Sequence, residues 1–308
     1  MEIALQFVLL ALGFVMLAKG ADWFVEGAAG IAMRFGIPQL VIGLTIVAMG
    51  TSAPEAAVSI AAAVKGNADI TIGNIVGSNI LNILIILGLA ASIVPIAVAR
   101  STVRVEIPFM IGVTALLFYQ GRDGSISLAD GGVLMIAFAV YMMYLYTMAM
   151  KSNVDSDLEE PGLPLGRCLL GAVGGLALII AGSNITVGAA TFIATYAGLS
   201  ERFIGLTIVA LGTSLPELFT SVAAARRGNA DIAIGNIVGS NIFNILFVVG
   251  LSSLIIDIPF ASAFNFDTYV ALGAAVLLWL CVLRTQRLQR WAGALMLVCY
   301  AAYLGYIL

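Results

Sequence analysis

The chain of 308 residues is 61% hydrophobic and only 10% charged, with a formal net charge of −3 and a mean hydropathy of +1.09. A soluble domain carries about 25% charged residues, so the composition excludes a soluble class and identifies an integral membrane protein; no basic run offers a nucleic-acid surface. The absence of histidine excludes histidine metal sites, histidine proton relays and Ser-His or Cys-His catalysis.

Apolar runs of roughly 18 residues or more read as membrane spans. Ten follow in chain order, at 3–33, 38–64, 69–95, 103–120, 127–150, 164–197, 203–226, 231–256, 267–284 and 290–308. The first lacks the basic n-region of a leader and continues past any cleavage point, so it is expected to be a helix of the mature chain. Within it, Lys19 and Asp22 stand at i, i+3 and are expected to pair with each other. Glu26, one turn further along, is expected to be interfacial. Asp69 and Asp231 open the third and eighth spans, where an aspartate suits a helix N-cap and its dipole.

Turn signals at Gly36-Ile37-Pro38, Gly66-Asn67, Gly121-Arg122-Asp123-Gly124 and Ser200-Glu201 separate spans. The only long polar linker, 151–164, divides the chain into five spans within 1–150 and five within 165–308. Its acidic run from Asp155 to Glu160 lacks the glycine and closing glutamate of a helix-loop-helix calcium site, and reads as a solvated cytoplasmic loop. Cys168, Cys281 and Cys299 lie singly in or beside apolar segments and read as small core residues.

The chain repeats itself. Residues 42–89 match 204–251 at a constant shift of 162, with 35 identities in 48 positions. That period exceeds the 20–50 residues of a solenoid unit and suits half of a transporter built from two structural repeats. With the N-terminus outside, ten basic residues fall in inner loops and three (Lys65, Arg122 and Arg202) in outer ones. This bias sets the orientation. An odd number of spans per half then inverts the second repeat. The expected fold is all-α, with ten transmembrane helices in two inverted five-helix repeats and both termini outside.

Each repeat carries one motif that a membrane span does not tolerate without cause. Gly50-Thr51-Ser52-Ala53-Pro54-Glu55 returns as Gly212-Thr213-Ser214-Leu215-Pro216-Glu217. A carboxylate at that depth costs several kcal/mol, so it faces a partner or a water-filled cavity. On a helix Ala48, Thr51, Ser52 and Glu55 share a face, and Pro54 should kink the helix and release carbonyls near Ala48 and Thr51. Asn74, Ser78 and Asn82 share a face of the third span. Ala210, Thr213, Ser214, Glu217, Asn236, Ser240 and Asn244 repeat the set. Carboxylates, amides, hydroxyls and free carbonyls are hard oxygen ligands, suited to Ca²⁺ or Na⁺ and not to zinc or copper.

These residues carry a resemblance. The two G-T-S-x-P-E and G-S-N-I-x-N signatures, in an inverted duplicate of ten spans, resemble the calcium/cation antiporter superfamily, and most closely its prokaryotic sodium/calcium exchangers. The resemblance implies a multi-pass protein of the cell membrane that exchanges Ca²⁺ for Na⁺ by alternating access, with no cofactor, no obligate protein partner and no enzymatic activity. By position, it implies ion ligands at Ala48, Thr51, Ser52, Glu55, Ser78, Asn82, Ala210, Thr213, Ser214, Glu217, Ser240 and Asn244. It further implies that the first and sixth helices slide against the other eight. Position 244 departs from several relatives, including the potassium-dependent branch, which carry aspartate there; this argues against potassium dependence. Other readings of the residues are a Ca²⁺/H⁺ exchanger, a cation channel and an intramembrane enzyme.

Overall fold

The computed structural model describes residues 2–66, 68–152, 164–198 and 210–307. Asn67, the acidic run 155–160, Ser200-Glu201, Arg202 and the opening of the seventh expected span lie outside the described residues.

Among the described residues, eight of the expected spans are helices long and apolar enough to cross a membrane. They are α1 (Glu2–Arg34), α4 (Ile70–Ile93), α5 (Thr102–Asp123), α6 (Leu128–Ser152), α7 (Leu165–Tyr196), α10 (Ala230–Ile255), α11 (Ala263–Leu283) and α12 (Arg290–Ile307). The second expected span is a bent pair, α2 (Gln39–Thr51) and α3 (Ala53–Val64), turning by 51°. Pro54 sits in the first turn of α3, where its missing N–H is an orphan in any case. The second half repeats the break between α8 (Ala210–Thr213) and α9 (Leu215–Arg226).

The two halves are tied at both ends by short antiparallel ribbons. Strand β1 (Ile96–Ala97) pairs with β4 (Arg287–Leu288), Ile96 facing Leu288. Strand β2 (Ser125–Ile126) pairs with β3 (Ile258–Pro259), Ile126 facing Ile258. Adding 162 to β1 gives β3 and adding it to β2 gives β4, so each ribbon is the repeat image of the other. Helix α5 runs from β1 to β2, which sets the two ribbons at opposite ends of the helices.

Burial sorts the helices. The most apolar stretch of α10 is 94% buried and that of α4 78%, against 17% for α1, α6 and α12. The peripheral helices expose Phe7, Val8, Val140, Met143 and Val298, apolar side chains that only a lipid environment satisfies over so wide a surface. Helices α1 and α7 lie antiparallel along each other. Any side chain on Gly20 would place a Cβ 2.9 Å from the Gly175 carbonyl oxygen, so backbone meets backbone there, as small residues permit in membranes.

Two local expectations are corrected. Asp22 does not pair with Lys19: Arg227 at the end of α9 reaches across to Asp22 Oδ1 at 3.3 Å and to Glu26 Oε2 at 3.0 Å. Helix α9 lies against α1, with Phe14 and Phe219 in ring contact. The forked guanidinium spans two carboxylates one turn apart, a different N–H reaching each. Nor do the aspartates cap helices. Asp69 is the first helical residue after Ala68, and Asp231 the second after Asn229, where it suits the helix dipole. Cys168 and Cys281 are buried as expected, and Cys299 is half-buried.

Candidate cation site

The site begins at two backbone breaks. Ser52 (φ −80°, ψ 7°) and Ser214 (φ −90°, ψ 5°) occupy the bridge conformation between their helix pairs. The break re-aims each serine and the glutamate that follows it. The Ala48 carbonyl, expected to be released, is instead occupied: it accepts the Ser52 amide at 3.0 Å and the hydroxyls of Thr51 and Ser240, both at 3.3 Å. The local reason is that Ser52 keeps its helical bond although it leaves the helix. Proline deprives the carbonyl four residues before it of a donor. For Pro216 that carbonyl belongs to Gly212, and Ser183 of α7 donates its hydroxyl to it at 2.7 Å.

The two motifs bond across the halves. Ser52 Oγ donates to Glu217 Oε1 at 2.7 Å, and Ser214 Oγ donates to Glu55 Oε1 at 3.2 Å. Asn74 Nδ2 donates to the Glu55 carbonyl and to Ser59 Oγ; Asn236 Nδ2 does the same for the Glu217 carbonyl and Ser221 Oγ. Thr51 donates to Asn236 Oδ1 at 3.0 Å. The glutamates are thus held by backbone and by side chain, each from a different neighbour.

A second crossing lies on α4 and α10. Asn82 and Asn244 each open a π-helical turn, Asn82–Leu87 and Asn244–Val249, a feature often found at functional sites. Asn82 Nδ2 donates to Asn241 Oδ1 at 2.9 Å and Asn244 Nδ2 to Asn79 Oδ1 at 3.1 Å. Asn79 and Asn241 donate in turn to each other's main-chain carbonyl, at 3.2 and 3.1 Å.

What remains unpaired is informative. Glu55 Oε2, Glu217 Oε2, Asn82 Oδ1 and Asn244 Oδ1 are buried oxygens without a hydrogen-bond partner. They form two repeat-related pairs, and an orphaned buried acceptor calls for an explanation such as an ion. Among the described residues no lysine or arginine is paired with either glutamate, and no three His, Cys, Asp or Glu side chains form a metal cluster. Two carboxylates, amide oxygens and hydroxyls fit a hard cation.

Of the twelve expected ligand positions, Ala48, Thr51, Ser52, Glu55, Asn82, Ser214, Glu217, Ser240 and Asn244 carry the bonds and orphaned oxygens just described. Ser78 is buried on α4 and Thr213 is partly buried. Ala210 is placed only by its backbone, at the start of α8. Asn79 and Asn241 were not anticipated as site residues. They lie off the i, i+4, i+8 face, although their identity in both repeats was a signal. Outside this network of bonds, Glu106 was not anticipated either. It is fully buried on α5 and accepts the hydroxyl of Tyr144 from α6; a carboxylate inside an apolar span was the available cue.

The model of the family described as sodium/calcium exchanger protein matches residues 5–147 and 168–308. The chain belongs to that family. Sodium/calcium exchanger MaX1 of Methanosarcina acetivorans is 33% identical over 98% of both chains. Inner membrane protein YrbG of Escherichia coli is 40% identical over 80% of this chain and 79% of its own. Among solved structures, the sodium-calcium exchanger NCX_Mj soaked without Na⁺ and Ca²⁺ superposes with a TM-score of 0.87 at 34% identity, covering 99% of this chain and all of that one. The exchanger is accordingly a transporter, multi-pass in a membrane, with cations as its cargo.

Proposed function

We propose that this exchanger moves Ca²⁺ against Na⁺ across the cytoplasmic membrane by alternating access, at a site between α2–α3, α8–α9, α4 and α10. The observation that carries the reading is the two repeat-related pairs of buried, unpaired oxygens, contributed equally by both halves. The ligands we assign are Ala48, Thr51, Ser52, Glu55, Ser78, Asn82, Ala210, Thr213, Ser214, Glu217, Ser240 and Asn244, the Ala48 carbonyl joining them when the Thr51 and Ser240 hydroxyls turn from it to the ion. Two ionised glutamates balance one Ca²⁺ or two Na⁺, so the same groups can hold either cargo in turn. Sodium is favoured over protons because both glutamates stand among hydroxyl and amide groups, a hard-oxygen donor set that suits a metal cation.

Ten crossings are the arrangement we infer. Strands β2 and β3 sit side by side, so an even number of crossings separates them. Helices α6, α7 and α10 supply three, and the segment ending in α9 would supply the fourth. The repeat relation between the ribbons supports two inverted halves, and the excess of basic residues on the β1–β4 side supports termini on the opposite face. Glu55 and Glu217 are each only 1% exposed, so ions must enter through a movement. The α1–α7 pair, joined backbone to backbone, is the unit we assign to it.

The test is ⁴⁵Ca²⁺ uptake into Na⁺-loaded proteoliposomes, repeated with K⁺ or a pH gradient in place of Na⁺. Uptake driven by Na⁺ alone is expected. Equal uptake under a pH gradient would replace the reading with Ca²⁺/H⁺ exchange. Flux that neither saturates nor needs a counter-ion would make the protein a channel.

A further inference from the structure

An asparagine amide has an oxygen and an NH₂ of nearly the same size, and only the oxygen can face a cation. Which end of Asn82 and Asn244 faces the site must therefore be imposed from outside. The bonds between α4 and α10 impose it. A main-chain carbonyl can only accept, so the Asn241 carbonyl requires the Nδ2 end of Asn79. The Oδ1 of Asn79 then points at Asn244, which must offer its own Nδ2. Asn244 Oδ1 is what remains, buried and unpaired. The image chain runs from the Asn79 carbonyl through Asn241 to Asn82, leaving Asn82 Oδ1.

We propose that Asn79 and Asn241 are positioning residues that fix the amide orientation of Asn244 and Asn82 respectively, so that oxygen and not NH₂ meets the transported cation. The control is crossed between the halves: each asparagine acts on the ligand of the other helix and not on its near neighbour three residues away. The proposal rests on the cation-site reading above.

The test is a set of double-mutant cycles on the full-length protein, read as the Ca²⁺ half-saturation and maximal rate of ⁴⁵Ca²⁺ uptake into Na⁺-loaded proteoliposomes. Asn79→Leu keeps the volume and removes both the acceptor for Asn244 and the donor to Asn241; it should raise half-saturation by up to about tenfold, the size of one hydrogen bond between neutral groups. Asn79→Asp keeps an acceptor for Asn244 and should raise it less. In an Asn244→Ala background Asn79→Leu should add nothing, whereas in Asn82→Ala the two effects should multiply. Asn241→Leu should give the reverse pattern. Where Leu prevents insertion, Asn79→Ser or Asn241→Ser, too short to reach the facing amide, should give the same crossed result. Effects that multiply in both backgrounds, or a fall in maximal rate at unchanged half-saturation, would reduce the pair to a tie between helices and overturn the proposal. Failure of the underlying reading looks different: Glu55→Gln and Glu217→Gln would then both transport normally.

Discussion

Ser52 donates its hydroxyl to Glu217 across the two halves at 2.7 Å, while the image bond from Ser214 to Glu55 is 3.2 Å long. Each carboxylate is therefore oriented by the opposite repeat, and the two orientations are not equally firm. A shorter charge-assisted bond is the stronger one. Ser52→Ala should raise the Ca²⁺ half-saturation several-fold, about 1 kcal/mol, and Ser214→Ala should raise it less. Equal effects in a flux assay would mean that the difference in length has no energetic weight.

The carboxylates themselves admit no substitute. Glu55→Gln or Glu217→Gln keeps the shape and removes one of the two charges proposed to balance Ca²⁺. Each variant is expected to insert normally and to lose exchange. Near-normal ⁴⁵Ca²⁺ uptake by either one, at matched expression, would remove the central assignment.

Asn244 makes the site's formal charge −2, symmetric with Asn82. Wild-type exchange is therefore expected to be independent of K⁺. Asn244→Asp would add a third carboxylate beside two others, and charges that close require a further proton or cation. Transport by this variant should become sensitive to pH between about 6 and 9 or to an added monovalent cation. Curves that coincide with wild type would take position 244 away from the ions.

The Gly212 carbonyl offers a stability test. Pro216 leaves it without a backbone donor, and the buried Ser183 hydroxyl takes that place. Ser183→Ala should destabilise the protein by about 1–3 kcal/mol, the cost of an unsatisfied buried acceptor. Restoring an N–H with Pro216→Ala should shrink that loss. If thermal unfolding of detergent-solubilised protein shows the two changes adding independently, the proline is not the reason for the bond.

Arg227 joins Asp22 and Glu26 across the boundary between α1 and α9. The pairs are exposed, and exposed pairs contribute only about 0–1 kcal/mol. Asp22→Asn with Glu26→Gln should change the melting temperature little and leave substantial transport. Loss of transport in a well-folded double variant would place these carboxylates on the ion route.

Much of this molecule was legible along the chain because its signals are one-dimensional. Hydropathy marks the spans, since every residue facing lipid must be apolar. The duplicated Pro-Glu and Gly-Ser-Asn blocks mark the site, since a carboxylate inside such a span needs a reason to be there. The proline break could be foreseen from ring geometry alone. Partnership could not. Ser52 finds Glu217 at a separation of 165 residues and Ser214 finds Glu55 at 159, distances over which no helical periodicity speaks. Nothing local distinguishes Asn79, which accepts from Asn244 of the other half, from Asn82, which keeps an unpaired oxygen. The same holds for Asp22, whose near neighbour Lys19 looked the natural partner until α9 brought Arg227 beside it. Sequence determined which groups are apolar enough to span and which are not; the packing of the two halves decided which of them meet, because that packing runs α4 against α10 and leaves each motif to be completed by its own image.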